Sequence, residues 1–156
     1  MPNIEVPTLG EWIAEEPCKG AFASKFFGLY GYMGALQAFC EAGVTLEETS
    51  GSSSGGYVAA MYAAGLEPLQ MLEPIEHLRR QDIWDAGWGL GILRGDLFED
   101  KLREILPVNT LEECDVPTNI STFDLHTRKT DVRRKGDIAR AIRATCAVPG
   151  LFQPVM

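Results

Sequence analysis

No run in this 156-residue chain approaches the roughly 18 consecutive apolar residues that a membrane-crossing helix requires. The opening Met-Pro-Asn-Ile-Glu-Val-Pro has neither a basic start nor an apolar core, so no secretion signal is expected there. Histidine is scarce, with His77 and His126 alone, which leaves little material for imidazole chemistry. The four cysteines, Cys18, Cys40, Cys114 and Cys146, show no C-x-x-C or other metal-like spacing; reduced thiols in a cytoplasmic protein are the simpler expectation, and no metal is expected. Positive charge is also short, 14 Lys and Arg against 22 Asp and Glu, giving a net charge of -8. That balance argues against general nucleic-acid binding.

What is present is enough for a real core. With 46% hydrophobic and 23% charged residues, one globular domain is the default. Residues 1–19 carry prolines and acids and read as an irregular lead-in. Gly20–Ser24 reads as a short buried strand, followed by a glycine-bearing loop over residues 26–34 and a helix over Ala35–Ala42 that stops at Gly43. Val44–Ser50 is the next expected strand, although Glu47 and Glu48 fit poorly in a parallel strand covered on both faces. An alanine-rich helix follows over Tyr57–Ala64, closed by Gly65.

Beyond it, residues 68–79 suggest helix interrupted near Pro74. Residues 83–95 hold four glycines and two tryptophans and read as an apolar loop. It is compatible with lining an acyl pocket, with touching a lipid interface, or with folding back onto the core. Asp96 is a candidate N-cap for a helix over Leu97–Leu106. Strands are expected over Pro117–Leu125 and His126–Arg134, and a helix capped by Asp137 over Ile138–Ala147. The basic residues Arg128, Lys129, Arg133, Arg134, Lys135, Arg140 and Arg143 gather here. They fit either a solvated hairpin edge or contact with anionic headgroups. Strands alternating with helices predict an α/β domain with a mainly parallel sheet flanked by helices.

The chemistry concentrates at Gly51-Ser52-Ser53-Ser54-Gly55, the one G-x-S-x-G match around its serines. Small residues on either side let a strand turn sharply into a helix and aim the central hydroxyl outward, which singles out Ser53. At a helix N-terminus, unpaired N–H groups and the positive end of the dipole favour a developing negative charge. Ser54 N–H is then a candidate oxyanion donor. A nucleotide-binding reading of the same turn lacks the P-loop lysine. A Ser-Asp-His arrangement would have to combine Ser53 with Asp115 or Asp124 and His126, which lies in a charged turn.

Taken together, residues 26–43, Gly51–Leu66, Trp84–Gly95 and Ala141–Val155 resemble the patatin-like phospholipase family, over roughly residues 22–156. The resemblance implies a three-layer domain, partial here over residues 20–156, and a lipid acyl hydrolase using a serine and aspartate dyad without a cofactor. Ser53 would be the nucleophile on an elbow flanked by Gly51 and Gly55. Backbone donors for the oxyanion would come from Ser24, Lys25, Phe26 and Gly28 together with Ser54. A lipid or phospholipid ester would be the substrate, met at a membrane periphery; nucleic acid is not an expected partner. The family's aspartate sits in an Asp-Gly motif, and this chain has no Asp-Gly dipeptide. The expectation is therefore a fragment whose C-terminal part, with the base, lies beyond Met156. A non-catalytic lipid-binding or interaction module is the alternative.

Overall fold

A computed structural model describes residues 6–8, 10–11, 13, 17–25, 28–76 and 79–156. Phe26, His77 and most of the expected lead-in lie outside the described residues. Strand β1 (Cys18–Phe22) leads to helix α1 (Gly28–Glu41), strand β2 (Leu46–Ser52) and helix α2 (Ser54–Ala63). Helices α3 (Pro68–Glu76) and α4 (Arg80–Ile83) follow, then strand β3 (Gly91–Leu93) and helix α5 (Asp96–Ile105). A 3-10 turn at Leu111–Glu113 precedes strands β4 (Thr118–Asp124) and β5 (Lys129–Arg133), helix α6 (Ile138–Cys146) and strand β6 (Gly150–Phe152). The main sheet has the order β1-β2-β4-β5, parallel except for the β4–β5 hairpin, and β3 pairs in parallel with β6 in a separate ribbon. The fold is thus a mostly parallel sheet flanked by helices, as the alternation of elements predicts.

Helix α2 is the centre of the core. Val58, Ala59, Ala60, Met61 and Ala63 are fully enclosed, and the helix packs across β1, β2 and β4. Its small side chains let the helix lie close to the strands. The hydroxyl of Thr49 sits 3.1 Å from the Ala59 carbonyl oxygen and 2.9 Å from the Thr118 hydroxyl, so the polar atoms between helix and sheet are satisfied.

Side chains alternate along a strand, and that resolves the difficulty of Glu48; Glu47 is exposed where the register with β1 shifts, Cys18 pairing with Leu46 and Lys19 with Glu48. Thr49 and Thr118 face α2 and are buried, whereas Glu48 lies on the opposite face, 2.7 Å from Lys19 Nζ and 2.8 Å from Asn119 Nδ2. That opposite face also bears Phe123, which is exposed. A parallel strand can carry glutamate where one of its faces is open.

Several boundaries differ from expectation. β1 begins at Cys18, two residues before the expected Gly20 and inside the lead-in, and ends at Phe22. Helix α1 begins at Gly28, because Leu29, Tyr32, Met33 and Leu36 present one apolar stripe to the core and packing outweighs the poor propensity of glycine. Pro74 falls inside α3 and does not interrupt it. The expected apolar loop at 83–95 contains β3. Asp96 is in the first turn of α5, whose N-cap is Gly95 with φ 87. The capping carboxylate comes instead from Asp85, which accepts from Gly95 N at 3.0 Å and Leu97 N at 3.1 Å. Asp137 does cap α6, accepting from Arg140 N at 2.9 Å.

Candidate active site

Strand β2 ends at Ser52 and helix α2 starts at Ser54, so a single residue makes the turn. Ser53 has φ 54 and ψ -125, a conformation that costs a non-glycine residue about 1–3 kcal/mol. Its carbonyl accepts the first helical bond, from Tyr57 N at 3.0 Å. Its own amide donates to Thr145 Oγ1 at 2.8 Å, and that hydroxyl donates in turn to the Ser121 carbonyl at 2.6 Å. The side chain is half-buried. In this geometry the hydroxyl sits at the positive end of α2.

The flanking glycines are required by close approach. A Cβ on Gly51 would lie 2.2 Å from the Gly55 carbonyl oxygen, and one on Gly55 would lie 2.1 Å from the Phe22 carbonyl oxygen. Backbone therefore meets backbone on both sides of the elbow, and no side chain larger than hydrogen fits.

The loop after β1 is brought to the same place. Lys25 N donates to Ser54 Oγ at 3.2 Å, and the Ser54 hydroxyl donates back to the Lys25 carbonyl. Gly28 N donates to the Lys25 carbonyl at 3.2 Å. Of the expected oxyanion donors, the amides of Lys25 and Gly28 are thus already engaged. Ser24 N makes no hydrogen bond among the described residues, and Ser54 N, in the first turn of α2, has no intrahelical acceptor. Tyr32 braces the loop by donating from its hydroxyl to the Ala23 carbonyl at 2.9 Å.

The alternative base assignments do not assemble. The Asp115 carboxylate lies beside Gly65, past the far end of α2, which at ten residues spans about 15 Å. Asp124 is occupied locally, accepting from the amides of His126 at 2.8 Å and Thr127 at 3.2 Å. Among the described residues no carboxylate or imidazole hydrogen-bonds to the Ser53 hydroxyl. Burial pushes the neighbouring Cys146 thiol up to about 12, so it remains a neutral thiol at physiological pH.

A strained serine between two close-packed glycines, next to the loop that follows the first strand, is the arrangement expected from the resemblance. A family profile described as patatin-like phospholipase matches residues 28–156. The chain belongs to the patatin-like phospholipase family. Among relatives, an uncharacterized NTE family protein of Mycobacterium tuberculosis is 30% identical over 135 residues, covering 80% of this chain and 36% of that protein. The protein YqhO of Bacillus subtilis, also uncharacterized, is 21% identical over 152 residues, covering 78% of this chain and 52% of that protein. This patatin-like chain therefore spans 36% of the length of the first of these relatives. VipD of Legionella pneumophila matches in structure with a TM-score of 0.49 and 29% identity, over 58% of this chain and 17% of that one.

Two supporting residues of this patatin-like chain were not legible in the sequence. Thr145 lies 92 residues from the serine whose amide it holds; it falls within the Ala141–Val155 segment that carries the resemblance, but nothing in that pattern gives it a role at the elbow. Asp85 is the other. It lies in the apolar loop, yet it is buried and caps α5. Burial raises its pKa, but the N–H groups of Gly95, Leu97 and Asp96 together outweigh this and leave the carboxyl below the ordinary aspartate value. The segment that follows it carries solvated apolar side chains: Trp88 is 104% and Leu90 78% exposed. An open depression of about 540 Å³ follows that segment, lined by Trp88, Leu90, Ile92 and Gly150 among others and by none of the elbow residues. No helix among the described residues is long and apolar enough to cross a membrane.

Proposed function

We propose that this chain carries the nucleophile and oxyanion half of a lipid acyl hydrolase, a serine carboxylic-ester hydrolase of the patatin-like type. The observation that carries the reading is the conformation of Ser53, φ 54 on a turn closed by Gly51 and Gly55, beside the loop at residues 23–25. Strain of this kind collects at functional sites, and no packing role in the core needs it. The Ser53 oxygen attacks the ester carbonyl carbon, its proton passes to a base, and the oxyanion is met by N–H groups of Ser54 and Ser24. Collapse expels the alcohol portion of the lipid, which takes the proton back from the base, and leaves an acyl-serine, which water then cleaves to release the fatty acid and regenerate the hydroxyl. The base is assigned to an aspartate outside the described residues, since none of theirs bonds to Ser53. The substrate is a lipid or phospholipid ester, met by a cytoplasmic protein at a membrane surface through Trp88 and Leu90, side chains suited to the interface.

One observation favours a second reading, a non-catalytic lipid-binding module. The amides of Lys25 and Gly28 are engaged within the protein, and each oxyanion donor lost costs about a hundredfold or more in rate. A fluorophosphonate probe separates the two. Applied to the protein at its native length, it forms in a hydrolase a covalent adduct that Ser53→Ala abolishes, whereas a binding module retains lipid affinity without an adduct.

A further inference from the structure

We infer that Thr145 is the positioning residue of the elbow, fixing the direction of the Ser53 hydroxyl through the backbone without touching substrate. The inference rests on Ser53 being the nucleophile. A strained backbone persists only where its surroundings over-determine it. Gly51 and Gly55 supply steric walls on either side, but they act on the neighbours of Ser53. Neither regular element can hold the Ser53 amide itself: β2 has ended at Ser52, and the N-cap of α2 has no acceptor within the helix. Thr145 Oγ1 takes that amide at 2.8 Å.

The hydroxyl is itself engaged both as donor and as acceptor. It donates to the Ser121 carbonyl on β4 at 2.6 Å, which turns a lone pair toward the Ser53 amide. The methyl of the same side chain lies against Gly56, where an added Cβ would sit 2.8 Å from Thr145 Cγ2. Rotation about χ1 would carry the hydroxyl away from both partners and lose both bonds, so the hydrogen bonds and the contact of the methyl with Gly56, rather than any intrinsic preference of threonine in a helix, select this rotamer. A single side chain thereby ties the turn to α6 and β4. It also commits the Ser53 amide, leaving the amide of Ser54 as the elbow's donor toward an oxyanion.

The test uses Thr145→Val, which keeps the shape and removes both hydrogen bonds, and Thr145→Ser, which keeps the hydroxyl. Both are made in the protein at its native length. Labelling by an alkyl fluorophosphonate is followed with its inactivation rate constant separated from probe affinity, and amide hydrogen exchange is read at Ser53, Tyr57 and Ile120. Thr145→Val is expected to lower the inactivation rate constant about tenfold or more with affinity unchanged, because misaimed groups lose rate and not binding. Thr145→Ser should recover it to within about threefold, the hydroxyl being what counts. In Thr145→Val the Ser53 amide should exchange about tenfold faster while Tyr57 and Ile120 do not change. Labelling of the valine variant at the parental rate would overturn the inference. So would an unchanged Ser53 amide, or equal acceleration at all three amides, which marks general loosening. If the parent protein takes no label while the Ser53 amide alone responds, the positioning stands and the nucleophile reading falls.

Discussion

Ser53 pays in backbone strain for the direction of its hydroxyl, and that makes its replacements informative. Alanine at this position keeps the unfavourable φ of 54, whereas glycine accepts it freely. Relief of about 1–3 kcal/mol, reduced by about 0.5–1 kcal/mol for the greater freedom of glycine when unfolded, should leave Ser53→Gly about 1 kcal/mol more stable than Ser53→Ala. Urea unfolding of the two variants checks this, and an alanine variant as stable as the glycine variant would mean the bend is unstrained. Gly55 predicts the opposite sign. A methyl 2.1 Å from the Phe22 carbonyl oxygen must push β1 from α2, so Gly55→Ala should lose about 2 kcal/mol or more and the Ser53 adduct with it. The motif pointed to both residues. It could not show that Ser54 and Lys25 tie the elbow to the first loop, because that contact joins residues 29 apart in the chain.

At the scale of elements, two charged side chains hold α5 in place. Asp85 caps it, and Arg143 on α6 reaches Glu99 at 2.8 Å, Asp96 at 2.9 Å and the Arg94 carbonyl at 2.7 Å. The Asp85 carboxyl has a folded pKa below its unfolded value of 3.8, so its stabilisation is present above about pH 4 and is lost as pH falls through the lowered folded value. Asp85→Asn should cost about 1–2 kcal/mol at pH 7, and the gap from the parent should narrow on titration below pH 4. Thermal unfolding across pH 3–7 measures it; a gap independent of pH would show that the charge is not what caps the helix. Little of this was legible. Asp96, adjacent to the helix start, looked like the cap, while the working carboxylate comes from the far side of a glycine-rich segment. Helix α1 was underestimated for a related reason, since its glycines obscured a stripe at Leu29, Tyr32, Met33 and Leu36 that only packing makes decisive.

For the molecule as a whole, the alternation of strand and helix conveyed the architecture, because periodicity and stop residues are local properties of a chain. Sheet order is not local. That β4 lies beside β2, carrying Ser121 to the hydroxyl that holds the Ser53 amide, follows from tertiary contacts alone. The same limit explains the misfit of Glu47 and Glu48: Glu48 lies on the sheet face away from α2, and Glu47 falls where the register with β1 shifts, both of them consequences of pairing and packing and not of local sequence. The account depends throughout on the Ser53 hydroxyl being the reacting group, and peptide mapping after treatment with a fluorophosphonate tests this most directly. From the protein at its native length, one covalent adduct is predicted, on the peptide containing Ser53 and absent from Ser53→Ala. No adduct, or an adduct on another residue that survives the substitution, would contradict it.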